Sequence, residues 1–317
     1  KTNSKVDSSR SLLKVKYSNM MQDALSKSQY NIVKEIAEIL TIIDQHENGE
    51  SYSLTNSELQ QQLKRDLKPK FIPETPKQIS LSASAIETYI SCPLKYRLSK
   101  IDRIPQTASK PELVFGNIIH KVLQRFHNEC KKLDKNSILE LLEQEWQSGA
   151  FEYKVREEKF KDQGVEMLSN YVENIKTNTP NVLATELSFT FQLNETTIVG
   201  TIDRLDNESG IVITDYKTSK TSTKAKNSLQ LAIYSLYLEQ SEDLELKGIP
   251  KKSQLYFLRD HEDPIKEHSF SSDELRDTEE KILHVSNGIR KKDFKPIKGN
   301  HCNWCDYKHL ACPVYEE

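Results

Sequence analysis

"GTIDRLDNESGIVITDYKTSK" spans Gly200 to Lys220. It sets Asp203 and Asp215 on either side of a turn signal, Asn207 to Gly210. The apolar run Ile211 to Ile213 leads into Asp215, and Lys217 follows two residues later. The stretch reads as two strands joined by a tight turn. Residues two apart on a strand share a face, so Asp215 and Lys217 project together while Tyr216 points the other way. If the strands pair as a hairpin, Asp203 approaches Asp215. Adjacent carboxylates repel, and a divalent cation between them relieves the repulsion. Their hard oxygens suit Mg²⁺ or Mn²⁺.

Working outward, "TELSFTFQL" alternates Leu187, Phe189, Phe191 and Leu193 with Glu186, Ser188, Thr190 and Gln192. That period of two predicts a further strand with one buried face. "NSLQLAIYSLYLEQ" then predicts a helix, "KSQLYFLR" a strand, and residues 272–290 a last amphipathic helix. Upstream the period is helical. "YNIVKEIAEILTIID" places Ile32, Val33, Ile36, Ile39, Leu40 and Ile43 on one stripe, within a region from about 8 to 66 that reads as helix. Thr55 with Glu58 and Ser84 with Glu87 have capping-box spacing. "PELVFGNIIHKVLQRFHNEC" predicts a long helix, with more helix to about residue 177. Between the two helical regions, Pro69, Pro73 and Pro76 mark an extended connector and a boundary near residue 78.

Composition excludes several classes. The chain has 317 residues, 36% of them hydrophobic, enough for one good core and a smaller second one. A net charge of −2 excludes a histone-like polycation but allows local basic patches. No stretch approaches the ~20 apolar residues of a membrane span. No GxxxxGK[ST] loop is present, so no nucleotide motor is expected here. The start lacks an apolar signal core and an initiating Met, which suggests a fragment of a longer chain. The expected location is cytoplasmic, where an odd number of cysteines, five, argues against a disulfide framework.

A cation held by Asp203 and Asp215, with Lys217 to orient or deprotonate water, supplies the parts for phosphodiester hydrolysis. The D-x-K tripeptide alone is common on ordinary surface hairpins. Three features bear on the choice. His120, in "GNIIH", lies at the edge of an apolar helical stripe, where it is either a packed side chain or a transition-metal ligand. Gln230 and Tyr234, four apart, share one helix face and either stay in water or reach a phosphate. Lys217, Lys220, Lys224 and Lys226 form a charge run that is either a solvated loop or a clamp on a nucleic-acid backbone.

The cysteines carry a second signal. "HCNWCDYKHLACP" groups Cys302, Cys305 and Cys312, while Cys92 lies far upstream in "SCPLKY". Cys130 is left over as a plain thiol. The three clustered cysteines with either Cys92 or His309 suit zinc, and four thiolates suit a [4Fe–4S] cluster.

His120, the "GTID" of Asp203, the "TDYK" of Asp215 and Lys217, and the "QLAIY" of Gln230 and Tyr234 stand in the order seen in RecB-like PD-(D/E)XK nucleases. The sequence resembles the nuclease domains attached to RecB, AddA and AddB helicases, over roughly residues 80 to 317. That resemblance implies an α/β fold: a restriction-endonuclease-like core, a mixed sheet flanked by helices, here with an added N-terminal helical segment. It implies His120, Asp203, Asp215 and the Tyr216 carbonyl as metal ligands, Lys217 as the catalytic lysine, and Gln230 and Tyr234 as a helix motif near DNA. Glu186 stands where such domains often carry an acid, although strand alternation explains it equally well as an outward polar residue. The one-plus-three layout of Cys92, Cys302, Cys305 and Cys312 is similar to that of AddB-type nucleases and implies a [4Fe–4S] cluster. The six residues between Cys305 and Cys312 are one more than that layout leads us to expect.

The expectation is therefore a helical segment over 1–78, in keeping with the tail of a helicase region, and a nuclease domain over 79–317. The function expected is a Mg²⁺- or Mn²⁺-dependent deoxyribonuclease, an exonuclease by preference, serving recombination and repair. Its partners would be a single- or double-stranded DNA end and a helicase region or subunit, with no membrane. The competing reading is a non-catalytic DNA-binding or scaffold module with a degenerate nuclease fold.

Overall fold

The computed structural model describes residues 4–55, 57–67, 78–104, 111–151, 153–220, 223–241, 246, 248–309 and 311–315. The connector with Pro69, Pro73 and Pro76 lies outside them. The chain forms two compact units. One combines Lys1–Lys77, Ala85–Ser109 and Val285–Glu317; the other combines Gln78–Ser84 and Lys110–His284.

The second unit is built on a mixed sheet. Its strands are β1 (Ile79–Leu81), β2 (Val182–Leu193), β3 (Thr196–Asn207), β4 (Ile211–Lys217), β5 (Lys252–Phe257) and β6 (Ile265–His268). The path runs β1-β3-β4-β5-β6, with β2 also paired to β3. β1 lies parallel to β3 and β4 parallel to β5, and the remaining pairs are antiparallel. The short strands β1 and β6 carried too little alternation to be expected from sequence.

Helices flank this sheet: α6 (Pro111–Glu129), α7 (Lys135–Glu145), α8 (Lys154–Thr177) and α9 (Leu229–Gln240). Phe115, Ile119, Val122 and Phe126 of α6 pack with Leu142 of α7, Met167, Leu168 and Tyr171 of α8, and Tyr216 and Tyr256 of the sheet. Both tyrosines are aromatic residues in a strand core, where their hydroxyls need partners. Arg204 supplies one to Tyr216. The residue is 4% exposed; its guanidinium pairs with Asp206 at 2.9 Å and donates to the hydroxyls of Tyr171 and Tyr216. The Tyr256 hydroxyl accepts from the Asn174 side chain at 3.1 Å. This buried ionic knot was not expected from sequence.

In the first unit, α1 (Ser4–Ser26), α2 (Tyr30–Glu47) and α3 (Glu58–Asp66) close over Tyr17, Ile36, Ile39, Ile43 and Leu63. Ile32, expected on the apolar stripe, is 38% exposed, and Ile42 is buried instead. The buried Asp66 carboxylate is met by Lys16 at 2.6 Å and the Tyr17 hydroxyl at 2.9 Å. The expected capping residues shift slightly. Ser57, not Thr55, caps α3 by accepting from the Gln60 amide at 3.2 Å. The Thr55 amide instead donates to the Gln60 side chain at 2.7 Å. The helix α4 (Ala83–Ser91) begins one residue before Ser84, so Ser84 is not its cap. After α4 come α5 (Pro93–Tyr96) and a π-helical turn, Arg97–Ile101. α10 (Ser272–Arg290) matches its expected bounds.

Candidate active site

The hairpin of the opening stretch forms with Arg204 opposite Thr214. Asp203 and Asp215 are the next residues along the two strands. The Tyr216 amide donates to Asp203 Oδ2 across 2.7 Å, fixing the carboxylate against the neighbouring strand. The Tyr216 side chain turns away into the core, as the strand period requires. Lys217 and Asp215 share the other face, with Nζ 2.5 Å from Oδ2.

His120 approaches from α6. Its position at the margin of the buried stripe leaves it partly exposed while its ring meets the edge of Tyr216. Nδ1 lies 3.4 Å from Asp203 Oδ2 and 4.0 Å from Glu186 Oε1. His120, Glu186 and Asp203 each offer a ligand atom within 4.8 Å of the others. Glu186 is the residue that alternation left undecided. Its neighbours Thr185 and Leu187 pair with Arg204 and Ile202, so it sits abreast of Asp203. Its φ of 48° is unusual for a non-glycine residue in a strand. Strained backbone of this kind tends to mark functional sites. Sequence alternation carries no signal for a local φ, so this geometry was invisible there.

The lysine is held on its other side. Nζ donates to Gln230 Oε1 at 2.8 Å, and Gln230 Nε2 donates to the Tyr234 hydroxyl at 2.6 Å. That hydroxyl donates in turn to the Thr201 carbonyl at 2.5 Å. Ser228 starts α9 by accepting from the Leu231 amide, which sets Gln230 and Tyr234 on the turn facing β3 and β4. Tyr234 is 3% exposed, so its ring is a core element as well as a hydrogen-bonding one.

Charge is concentrated here. Burial and then the Asp203 carboxylate push Asp215 up to about 7, against the pull of Lys217. Burial and then Asp203 also raise Glu186. Burial alone would lower His120, but its hydrogen bond to Asp203 and the surrounding carboxylates lift it to about 8. Asp215 Oδ2 is buried with no hydrogen bond of good geometry, although Lys217 lies close. The Glu186 and Asp203 carboxylates and the His120 imidazole, with the Asp215 carboxylate on the next strand, are a donor set that fits a hard divalent cation.

Of the lysine run, Lys220 and Lys224 are exposed, and Lys226 stands 3.3 Å from Glu274. The cysteines of the expected cluster lie in the first unit. Cys92, between α4 and α5, lines one pocket with Cys302, Cys305 and Cys312, together with Tyr315. None is in a disulfide. Burial raises the Cys305 thiol, with Cys92 and Cys302 adding to the effect. His309, the alternative zinc ligand, does not line this pocket. Cys130 is a half-buried free thiol.

A mixed sheet flanked by helices, with acids from two strands and a lysine two residues beyond the second acid, defines a nuclease-type site. The sequence matches the family model of the PD-(D/E)XK nuclease superfamily over residues 80–313, and the chain belongs to that superfamily. It is 26% identical over 293 residues to one subunit of the ATP-dependent helicase/deoxyribonuclease of Clostridium perfringens strain SM101, and equally to its counterpart in strain 13. Those matches cover 77% of this chain and 25% of the relatives, so the chain spans about a quarter of their length. A solved structure from Eubacterium rectale, described as a candidate exonuclease, shares 13% identity with a TM-score of 0.47. That match covers 81% of this chain and 94% of the other.

Proposed function

We propose that this chain is a metal-dependent deoxyribonuclease, the nuclease part of a helicase–nuclease. The observation that carries the reading is the convergence of His120, Glu186 and Asp203 on one point, with Asp215 and Lys217 on the strand paired beside Asp203. The names of the Clostridium relatives, helicase and deoxyribonuclease, support DNA as substrate and a helicase region or subunit as partner.

His120, Glu186, Asp203, Asp215 and the Tyr216 carbonyl would hold Mg²⁺ or Mn²⁺. Such an ion supplies Lewis acidity at a phosphoryl oxygen and lowers the pKa of water. Lys217, held between Asp215 and Gln230, is positioned to orient the attacking water and to carry a proton at Nζ. Gln230 and Tyr234 act behind it as positioning residues, because their polar atoms run in a chain from Nζ to the Thr201 carbonyl. Lys220, Lys224 and Lys226 supply cations for the DNA backbone; the exposed Lys226 pairs with half-buried Glu274 only at 3.3 Å, a contact weak enough to exchange for a phosphate.

A [4Fe–4S] cluster held by Cys92, Cys302, Cys305 and Cys312 is supported by their being four free thiols that line one pocket. A cluster there would tie the C-terminal segment to the α4–α5 junction and so close a long loop of chain.

The test is cleavage of end-labelled single- and double-stranded DNA with Mg²⁺ or Mn²⁺, comparing wild type with Lys217→Ala. Metal-dependent cleavage that Lys217→Ala lacks supports the reading. Equal rates would overturn it.

A further inference from the structure

Outside the site described, the second unit carries a cavity of about 470 Å³ between the N-terminal half of α8 and the loops that follow β4 and β5. Its volume is within the ~300–1,000 Å³ of small-ligand pockets. Lys159 and Gln163 reach it from α8, four apart and so on one helix face. Lys220 reaches it from the loop after β4, and Arg259 from the loop after β5.

Backbone pairing places this cavity beside the catalytic strand. The Leu258 amide donates to the Lys217 carbonyl at 2.9 Å, so Arg259 is the residue next to that bond. Lys220 follows Lys217 by three positions. The cavity therefore opens where β4 and β5 leave the sheet together, within three residues of Lys217.

Two donors on residues that line it have no acceptor. Arg259 Nε and Gln163 Nε2 are buried without a hydrogen-bond partner. A buried donor left unmet costs about 1–3 kcal/mol, so an acceptor-only ligand is favoured. The fixed charge favours an anion as well. Lys159, Lys220 and Arg259 bring three cations. Of the two carboxylates, Glu166 is drawn to His261 at 3.2 Å, which leaves Asp162. Asn170 holds the other side of the same imidazole at 2.7 Å. Phosphate oxygens accept and do not donate, and a guanidinium presents its donors in the fork they fit.

We infer that this cavity binds a sugar–phosphate of the nucleic-acid strand, with Arg259 and Gln163 on the phosphate oxygens and Lys159 and Lys220 at its mouth. The inference rests on the nuclease reading for its ligand and adds a second phosphate contact beside the reacting one. The phosphate is either internal to the strand or terminal.

The test is DNA binding by the full chain in EDTA, read by anisotropy across a salt series. The probes are short single-stranded oligonucleotides with a 5′-phosphate or a 5′-hydroxyl. Arg259→Ala should weaken binding about tenfold and flatten the salt slope by about one unit. Arg259→Lys should recover part of the loss. A greater loss on the phosphorylated probe assigns a terminal phosphate, and an equal loss on both an internal one; either pattern supports the site. If Arg259→Ala fails to fold, Lys159→Glu on an exposed side chain reads the same contact. Wild-type affinity and slope in the variant that folds would overturn the proposal. Because EDTA suppresses metal-dependent chemistry, the two readings fail separately. Lys217-dependent cleavage with Arg259-independent binding rejects only the cavity. Arg259-dependent binding without cleavage rejects only the nuclease.

Discussion

The Tyr216 amide donates to the Asp203 carboxylate across 2.7 Å, a bond between adjacent strands at the centre of the site. The carboxylate thus has two duties, to accept from a buried amide and to offer charge. Asp203→Asn keeps an oxygen for the amide and removes the charge; Asp203→Ala removes both. Urea unfolding should leave Asp203→Asn near wild type and lower Asp203→Ala by about 1–3 kcal/mol, the cost of an unmet buried donor. Both should lose cleavage by at least about 100-fold, because each removes a carboxylate charge from the proposed cation site. Equal unfolding midpoints for the two variants would show that the bond does not matter for stability.

The Lys217–Gln230–Tyr234 chain gives a double-mutant prediction. Lys217→Ala should slow cleavage by about 10²- to 10⁴-fold, and Lys217→Arg should not restore it, because a guanidinium does not lose its proton near neutral pH. Gln230→Ala should slow it by about tenfold with KM unchanged. If Gln230 works through Lys217, the double variant is no slower than Lys217→Ala alone. Multiplied losses would instead mean that Gln230 meets DNA independently.

Much of this was legible because strand period and turn chemistry agree at the opening stretch. Alternation put Asp215 and Lys217 on one face, and Asn207 to Gly210 turned the chain where expected. Helical spacing also put Gln230 and Tyr234 together, although it carried no sign that both would bond back toward Lys217. The role of Glu186 was not legible, since a positive φ leaves no mark on hydrophobic pattern. The Arg204 knot was hidden for a related reason. Arg204 and Asp206 read as ordinary polar residues, and only the tertiary approach of Tyr171 and Tyr216 makes them a buried group. Four cysteines were recognisable as a set, while the shared pocket needed the fold.

The thiol pocket predicts that purified protein contains iron and sulfide. Cys302→Ser and Cys92→Ser should each lose both, and segments 85–104 and 285–309 should become open to protease. The motive is that all four thiols line one pocket and none is in a disulfide. Stoichiometric zinc without iron in anaerobically prepared protein rejects the cluster.

His127 predicts a pH dependence of stability. Its Nε2 lies 2.6 Å from the Tyr171 hydroxyl and 3.4 Å from the Arg204 guanidinium. With donors on that nitrogen, the neutral Nδ1–H tautomer is assigned. Burial and then the Arg204 charge push its pKa down to about 3. The unfolded chain takes up this proton near pH 6.5, so the stabilisation is fully present above that pH and is lost as pH falls toward 3. At pH 5 the loss is about 1.5 pH units at about 1.36 kcal/mol each, near 2 kcal/mol. His127→Gln should flatten the stability curve between pH 6.5 and pH 5, measured by urea unfolding. An unchanged slope would mean that His127 is already protonated in the fold.

Gly200 predicts a coupling between packing and catalysis. It pairs with Phe189 across β2 and β3, and a Cβ placed on it would lie 2.5 Å from Phe189 Cζ. The ring has little room to yield. It stacks on Tyr237 with centroids 4.5 Å apart and meets Tyr234 edge-on at 5.7 Å. Gly200→Ala should therefore cost about 1–3 kcal/mol, the range for overpacking a core. The displaced ring should press on Tyr234, the residue that anchors Gln230 and through it Lys217, and slow cleavage by about tenfold. Phe189→Leu removes the ring edge, so the double variant Gly200→Ala/Phe189→Leu should unfold at higher urea than Gly200→Ala. Recovered rate in that double variant would place the defect in the push on Tyr234. A single variant with wild-type midpoint and rate would show that the sheet opens to admit the methyl, and that Gly200 does not hold the ring against the site.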